Sequence, residues 1–464
     1  MQIQFWGATN TVTGSCHMLS NEGKNILLDC GMFQGKRDES IHNNETFAFK
    51  PSSIDAVLLS HAHLDHCGRL PLLVAKGFKQ AVYATGATTD IATYVLMDSG
   101  KIQEQDVRQI NAISHKNLKP LYTLDDSLVA LRQFYSLSYH RTKKIASGAF
   151  SVNYKDAGHI LGSSFLEVEC HREGMPSTKV VFSGDLGRTN RPILRSPETP
   201  NPAAVLIIEG TYGNRLHDNG KSQLDEFCDL LNRVVDRGGK VIIPAFAVER
   251  AQEILYFLNI LWNTNRLPKI SVFMDSPMAA NVTDVFLKNL SSLNDNVVDS
   301  LLTDQDPFGF DSLQYIRSQQ MSERIARTKS PCIILAASGM CEGGRILNHL
   351  EENISNPLNA IVFVGYQAED TLGRKIINGE SPIKIRDKFH DVNAEVFELH
   401  GMSGHADSHD LRAFAKSVNV NDTLKTIFLV HGESEQLLAL KGYLSDDMPK
   451  VNIIIPNQGE QFEI

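Results

Sequence analysis

The sequence predicts an α/β fold. Short apolar runs rich in β-branched residues recur along all 464 residues. Polar or glycine-rich turns follow many of them at once, and helical patterns come next. In chain order the strand candidates are Asn25–Leu28, Ala56–Leu59, Ala81–Ala84, Phe165–Val168, Val180–Phe182, Val205–Ile208, Val241–Ile243, Cys332–Ala336, Ala360–Val364, Ala394–Leu399, Thr426–Val430 and Val451–Ile455. Their length and composition suit buried strands. Helical patterns stand at Leu70–Ala75, Gln223–Asp236, Ala251–Asn263 and Asp410–Lys416. The Pro-rich stretch Arg191–Pro202 and the polar stretch Asn378–Asn393 read as surface connections. Asn219-Gly220-Lys221-Ser222 resembles half of a P-loop, but Arg215 stands where its first glycine belongs, so it reads as a plain loop.

Composition narrows the function classes. Apolar residues at 42% and charged residues at 21% exclude disordered, collagen-like and coiled-coil chains. With 45 Lys and Arg against 54 Asp and Glu, the net charge is −9. A polyanion would therefore be held by a local groove or by metals, not by a broad cationic surface. Seven scattered cysteines without a C-x-x-C pair point to a reducing compartment, and a cytoplasmic location is expected. Neither a signal peptide nor a membrane span is visible, so no membrane partner is expected.

The segment that carries chemistry is Ser60-His61-Ala62-His63-Leu64-Asp65-His66-Cys67-Gly68. It follows a strand candidate and precedes a helical one. Extended backbone points His61 and His63 to one side, and Asp65 and His66 enter as the chain turns. Imidazole and carboxylate together suit a borderline metal such as zinc. His159, Asp185 and His431 stand at the ends of other strand candidates or in the loops after them. Each alone is an ordinary loop residue. Together with the first cluster they make seven donors, enough for two metals with an open position at each. Asp29 ends the run Leu27-Leu28-Asp29 and is a candidate to hydrogen-bond a ligating imidazole from behind.

These residues resemble the metallo-β-lactamase superfamily, an αββα sandwich with metals at one sheet edge. The long interval after Asp185 carries marks of its β-CASP nucleases. Glu209 in Glu209-Gly210-Thr211-Tyr212-Gly213 matches motif A, His405 in Ser403-Gly404-His405-Ala406-Asp407 matches motif B, and His431 matches motif C. Pro244-Ala245-Phe246-Ala247, Asp275-Ser276-Pro277-Met278-Ala279, Ala337-Ser338-Gly339-Met340, Gly365-Tyr366-Gln367 and the opening Gly7-Ala8-x-x-x-Val12-Thr13-Gly14-Ser15 match as well. The chain is similar to the endonuclease subunit that cuts pre-mRNA 3′ ends and to its short bacterial and archaeal forms. Two positions depart from the pattern: Gly210 replaces a frequent Ser, and Glu249 replaces the Gly before Arg250. The chain ends soon after motif C, so neither an extra C-terminal domain nor N-terminal KH domains are expected.

The resemblance implies a metallo-β-lactamase domain over residues 1–202 and 383–464, with an α/β β-CASP domain inserted at 203–382 as a lid. It implies two zinc ions per chain, one on His61, His63 and His159, the other on Asp65, His66 and His431, bridged by Asp185. It implies catalytic parts for Asp65, Glu209 and His405. A metal-bridging hydroxide would attack the phosphodiester, and His405, oriented by Glu209, would protonate the leaving O3′. Arg250, Ser276, Ser338, Gly339, Arg345 and Arg374 become candidates for RNA contact. The implied activity is a zinc-dependent ribonuclease, an endonuclease before a 5′-exonuclease, leaving 3′-hydroxyl and 5′-phosphate ends. A DNA nuclease of the same subfamily, a silent RNA-binding subunit and a small-ester hydrolase stay as alternatives, and a homodimer stays open.

Overall fold

The computed structural model describes residues 1–35, 42–114, 117–217, 223–365, 367–368, 370–399 and 403–464. The P-loop-like segment at 219–222 and Tyr366 lie outside the described residues. The chain divides into two compact units, Met1–Leu216 with Gly404–Ile464, and His217–Ser403.

The first unit holds two sheets. One runs in the order Gln461–Glu463, Gln2–Phe5, His17–Asn21, Lys24–Leu28, Ala56–Leu58, Val82–Thr85, Phe134–Leu137. The other runs Asn452–Ile454, Thr426–Val430, Val205–Glu209, Met175–Phe182, Ser164–Arg172, Phe150–Asp156, Lys143–Ile145. Side chains alternate across a strand, and the burial follows that period. Val180, Phe182, Val205, Ile207, Phe428 and Val430 enter the core between the sheets with Phe5, Leu28 and Leu58. Val181, Leu206, Ile208, Ile427 and Leu429 point the other way, onto residues of the helices Ser408–Val418 and Ser434–Asp447. The helices Leu70–Ala75, Gly86–Ser114 and Leu124–Leu131 pack together beside the first sheet. Helix, sheet, sheet and helix thus follow one another, as expected for the sandwich.

The second unit is built on a parallel sheet ordered Leu313–Tyr315, Ser271–Asp275, Cys332–Ala336, Val241–Pro244, Ala360–Phe363, Glu395–Glu398. Its middle strands are buried at every residue. That explains their unbroken apolar runs, since a parallel sheet covered on both faces has no polar side. The polar stretch Asn378–Asn393 is no bare connection: it contains the hairpin of Ile383–Ile385 and Lys388–His390.

The junctions between units differ from those expected at 202/203 and 382/383. Val205–Glu209 pairs in parallel with Met175–Phe182 and with Thr426–Val430, which places it in the first unit. Glu395–Glu398 pairs with Ala360–Phe363, which places it in the second. Backbone ladders, invisible to composition, decide both. The first unit is tied where the chain leaves and returns: Ser408 N–H donates to the Arg215 carbonyl at 3.0 Å, and Ala406 N–H to the Leu186 carbonyl at 2.8 Å.

Phe428 lies between the sheets, its ring centroid 4.9 Å from Phe5 and 5.0 Å from Phe462. Phe428→Ala leaves a cavity there and is expected to lower stability by about 3–5 kcal/mol. Denaturant unfolding checks this, and a change below about 1 kcal/mol would place the ring outside the supporting core.

Candidate metal centre

The histidine-rich segment leaves the strand Ala56–Leu58 and closes into one helical turn, Leu64–Cys67. His66 N–H and Cys67 N–H both donate to the His63 carbonyl, at 3.0 and 2.9 Å. Neighbouring backbone clamps the turn: Ser15 N–H donates to the Asp65 carbonyl at 2.8 Å, and Cys30 N–H to the His66 carbonyl at 2.9 Å. Gly31 passes so close that a Cβ there would stand 1.6 Å from the Asp65 carbonyl oxygen. His159 follows the strand Phe150–Asp156, Asp185 follows Met175–Phe182, and His431 follows Thr426–Val430. His431 adopts a φ of +50° and donates its N–H to the Ala8 carbonyl at 2.7 Å.

These turns bring all seven expected donors together. His61, His63, His159 and Asp185 form one group and Asp65, His66 and His431 another, the donor atoms of each group lying within 4.8 Å of one another. In the first group His63 Nδ1 is 3.1 Å from His61 Nε2 and 3.3 Å from His159 Nε2. Asp185 Oδ2 is 3.6 Å from both His61 Nε2 and His159 Nε2. In the second group His66 Nε2 is 3.2 Å from His431 Nε2, and Asp65 Oδ2 is 3.4 Å from His431 Nε2. The other oxygen, Asp185 Oδ1, stands 3.2 Å from His66 Nε2 and 3.3 Å from His431 Nδ1. One carboxylate thus turns one oxygen to each group.

The donor set fits a borderline divalent cation. Ligand atoms about 2.0–2.1 Å from a tetrahedral zinc lie about 3.3 Å from one another, close to the spacings here. Asp185 Oδ1 is buried and has no hydrogen-bond partner among the described residues. Burial holds His61 and His159 well below the ordinary imidazole value and brings His63 down to about 4, so these rings are neutral with lone pairs to offer. Burial pushes the Asp185 carboxyl up, but His431 and His66 hold it well below the usual carboxylate range.

Buried polar groups set these donors from behind. Asp29 has a left-handed φ of +62° and a fully buried carboxylate. That carboxylate accepts from Ser60 N–H at 2.8 Å, Ser60 Oγ at 2.9 Å and Ser15 Oγ at 3.2 Å, and pairs with His66 Nδ1 at 2.7 Å. The last contact turns His66 Nε2 toward the donor cluster. Ser60 Oγ also lies 3.0 Å from His61 Nδ1, and Thr211 Oγ1 3.3 Å from His431 Nδ1. Ser15, Ser60 and Thr211 were not singled out for these contacts in the sequence, although Ser60 directly precedes the histidines and Ser15 and Thr211 fall in matched motifs.

Glu209 and His405 meet beside this cluster. Glu209 is fully buried and accepts from Leu186 N–H at 2.7 Å and Thr211 N–H at 3.2 Å. His405 Nδ1 is 3.2 Å from Glu209 Oε1, and the His405 ring centroid is 4.6 Å from that of His159. Burial disfavours the imidazolium, but the Glu209 carboxylate, helped by Asp185 and Asp65, raises His405 above its ordinary value. A Cβ at Gly210 would come within 2.5 Å of Leu437 Cδ2, the end of a flexible side chain.

The candidates for RNA contact all lie in the second unit. Ser276 Oγ accepts from Ala279 N–H at 3.2 Å and caps the helix Pro277–Lys288. Ser338 Oγ accepts from Glu342 N–H and Gly343 N–H at 3.2 and 3.3 Å. Gly339 packs on Phe246, where a Cβ would meet the ring at 2.6 Å. Arg345 donates to Asp275 at 2.7 Å and to the carbonyls of Ile316 and Arg317 at 2.8 and 2.7 Å. Arg374 Nε donates to the Gln367 carbonyl at 2.9 Å, and Arg250 pairs with Glu253. Glu249, buried at a φ of +73°, is the N-cap of the helix Arg250–Asn263, and its N–H donates to Gln252 Oε1 at 2.8 Å.

The chain matches three known domain families. Residues 9–139 match the metallo-beta-lactamase superfamily, 251–376 the Beta-Casp domain, and 390–456 the Zn-dependent metallo-hydrolase RNA specificity domain. The chain is 39% identical over 440 residues to Ribonuclease TTHA0252 of Thermus thermophilus, covering 95% of each. It is 30% identical to Transcription termination factor FttA of Methanocaldococcus jannaschii, covering 94% of this chain and 68% of that one. It is 27% identical to Endoribonuclease YSH1 of Candida glabrata, covering 96% of this chain and 56% of that one. A crystal structure of a protein of unknown function from Enterococcus faecalis shares the fold, with a TM-score of 0.57 at 14% identity over 99% of both chains.

Asp29→Ala removes the acceptor that orients His66. It is expected to weaken metal retention about 10–100-fold, read as faster loss of metal to a chelator, while Asp29→Asn should fall between. Retention equal to the parent in both variants would show that Asp29 has no hold on the centre.

Proposed function

Because the chain belongs to the β-CASP branch of the metallo-β-lactamase superfamily, we propose that it is a zinc-dependent endoribonuclease that holds two ions and leaves 3′-hydroxyl and 5′-phosphate ends. Membership makes it a metal-dependent RNA-hydrolysing enzyme. The finer reading rests on one observation: seven donors gathered in two groups around Asp185, with the Glu209–His405 pair alongside.

His61, His63 and His159 would hold one ion, and Asp65, His66 and His431 the other, with Asp185 between them. When bound, the ions supply a nucleophile from water at neutral pH and a Lewis acid for the phosphoryl oxygens. His405 handles the proton. Its Nδ1 faces Glu209, so the proton passed to the leaving O3′ departs from Nε2. Its side chain is 22% exposed, enough for a substrate to reach, whereas Glu209 is sealed. Glu209 stabilises the imidazolium and fixes the ring, and its own carboxylate is fixed by two backbone N–H groups.

Elemental analysis of the purified chain, coupled to cleavage of RNA labelled at either end, tests this reading. Two zinc ions per chain and internal cuts ending in 3′-hydroxyl are expected. Mononucleotides released only from the 5′ end, or faster cleavage of DNA, would overturn it. His405→Ala should lower kcat by about 10²–10⁴-fold with metal content unchanged. Activity needs His405 protonated and therefore falls as pH rises through its raised pKa. Glu209→Gln removes the charge that raises it, so the alkaline limb of the pH profile should move to lower pH.

A further inference from the structure

Arg191 lies in the Pro-rich stretch that joins Asp185 to the strand Val205–Glu209, a stretch expected only to connect. Its side chain is instead buried, at 3% exposure. The guanidinium Nη1 donates to the His159 carbonyl at 2.9 Å and reaches the Gly404 carbonyl at 3.4 Å. His159 Nδ1 faces the same Gly404 carbonyl at 3.3 Å. With Nδ1 donating there, the His159 tautomer leaves Nε2 as the lone-pair nitrogen, and it is Nε2 that faces His63 and Asp185.

Gly404 is the residue before His405. The same segment is held on its other side by Ala406 N–H donating to the Leu186 carbonyl at 2.8 Å and by a bridge between Gly187 and His405. A Cβ on Gly187 would meet the Gly158 carbonyl at 1.9 Å, so the loops bearing His159, Asp185 and His405 are stacked without slack. Both contacts come from Nη1, whose two N–H groups are fixed in the guanidinium plane and so keep a set aim, which the freely rotating ammonium of a lysine lacks.

We propose that Arg191 is a positioning residue that ties the His159 loop to the His405 loop and so sets the distance between the metal-holding imidazole and the proton donor. The inference rests on the reading of His405 as general acid. Arg191 does not touch substrate; it acts through His405. Loss of the clamp should therefore impair proton delivery while leaving RNA binding intact.

Arg191→Gln and Arg191→Lys test this in the full chain, alone and combined with His405→Ala. Arg191→Gln is expected to lower kcat about 10–100-fold with KM within about twofold and unchanged metal content, and Arg191→Lys to recover part of the loss. In the His405→Ala background neither substitution should lower kcat further, because residues acting as one unit are not additive. An equal loss in both backgrounds, or a loss matched by missing metal, would overturn the proposal. Imidazole nitrogen resonances give a readout that needs no activity. Those of His159 and His405 should both move in Arg191→Lys while that of His171, bonded to Ser151 at 2.7 Å, stays in place. Unmoved His159 and His405 resonances would also overturn it. A parent chain that retains metal but leaves RNA intact would count against the ribonuclease reading instead, and the resonances would still decide the clamp.

Discussion

Five imidazoles and two carboxylates crowd into one largely buried place, and such a gathering must be balanced electrostatically. His61, His63 and His159, kept neutral by burial, bring ring nitrogens within 3.1–3.3 Å of one another, and Asp185 Oδ1 is buried without a hydrogen-bond partner among the described residues. Water cannot relieve this, because most of these side chains are sealed from it. Positive charge placed among the donors is the natural complement. Much of the surrounding architecture follows from that demand. The donors come from strand ends or from the loops after them, where backbone can turn a side chain outward without breaking a ladder. The core between the sheets supplies the rigidity, and Asp29, Ser60 and Thr211 supply the aim.

Rigidity is concentrated where loops cross. Gly31 against Asp65 and Gly187 against Gly158 leave no room for even one methyl group. Asp29 and His431 accept left-handed backbone that only glycine adopts freely. Strain of this kind survives when several contacts impose the same geometry, and both residues are held by backbone and side-chain hydrogen bonds together.

Much of this was legible in the chain itself. Every apolar run read as a strand is one, although Glu395–Glu398 is an edge strand with no buried residue and not the buried strand its composition suggests. The segment from His61 to His66 was legible because its donors are local. His159, Asp185 and His431 were ambiguous one by one, since their meaning lies in contacts with residues distant in the chain, His63 for His159 and His66 for Asp185 and His431. The helix Gly86–Ser114 went unread because its second half is mostly open to solvent and carries Gln, Asp and Arg, which dilute the helical period. The strands Gln2–Phe5 and His17–Asn21 alternate half-buried and buried positions over only four and five residues, and His17 and Asn21 are buried although polar, so no apolar run stands out. Arg191, Ser15 and Ser60 are ordinary polar residues by type. Their work depends on which carbonyl or carboxylate the fold sets before them, and no local pattern encodes that.

The tie between Ser408 and Arg215 closes the base of a very long excursion, and the parallel pairing of Val205–Glu209 with Thr426–Val430 closes it again one layer deeper. Once the two ends of a loop are pinned side by side, the entropy of closing it grows only slowly with its length. The host therefore tolerates a guest of almost any size at this seam. The donors of the first unit keep their places whatever length of chain is carried between the two pinned ends.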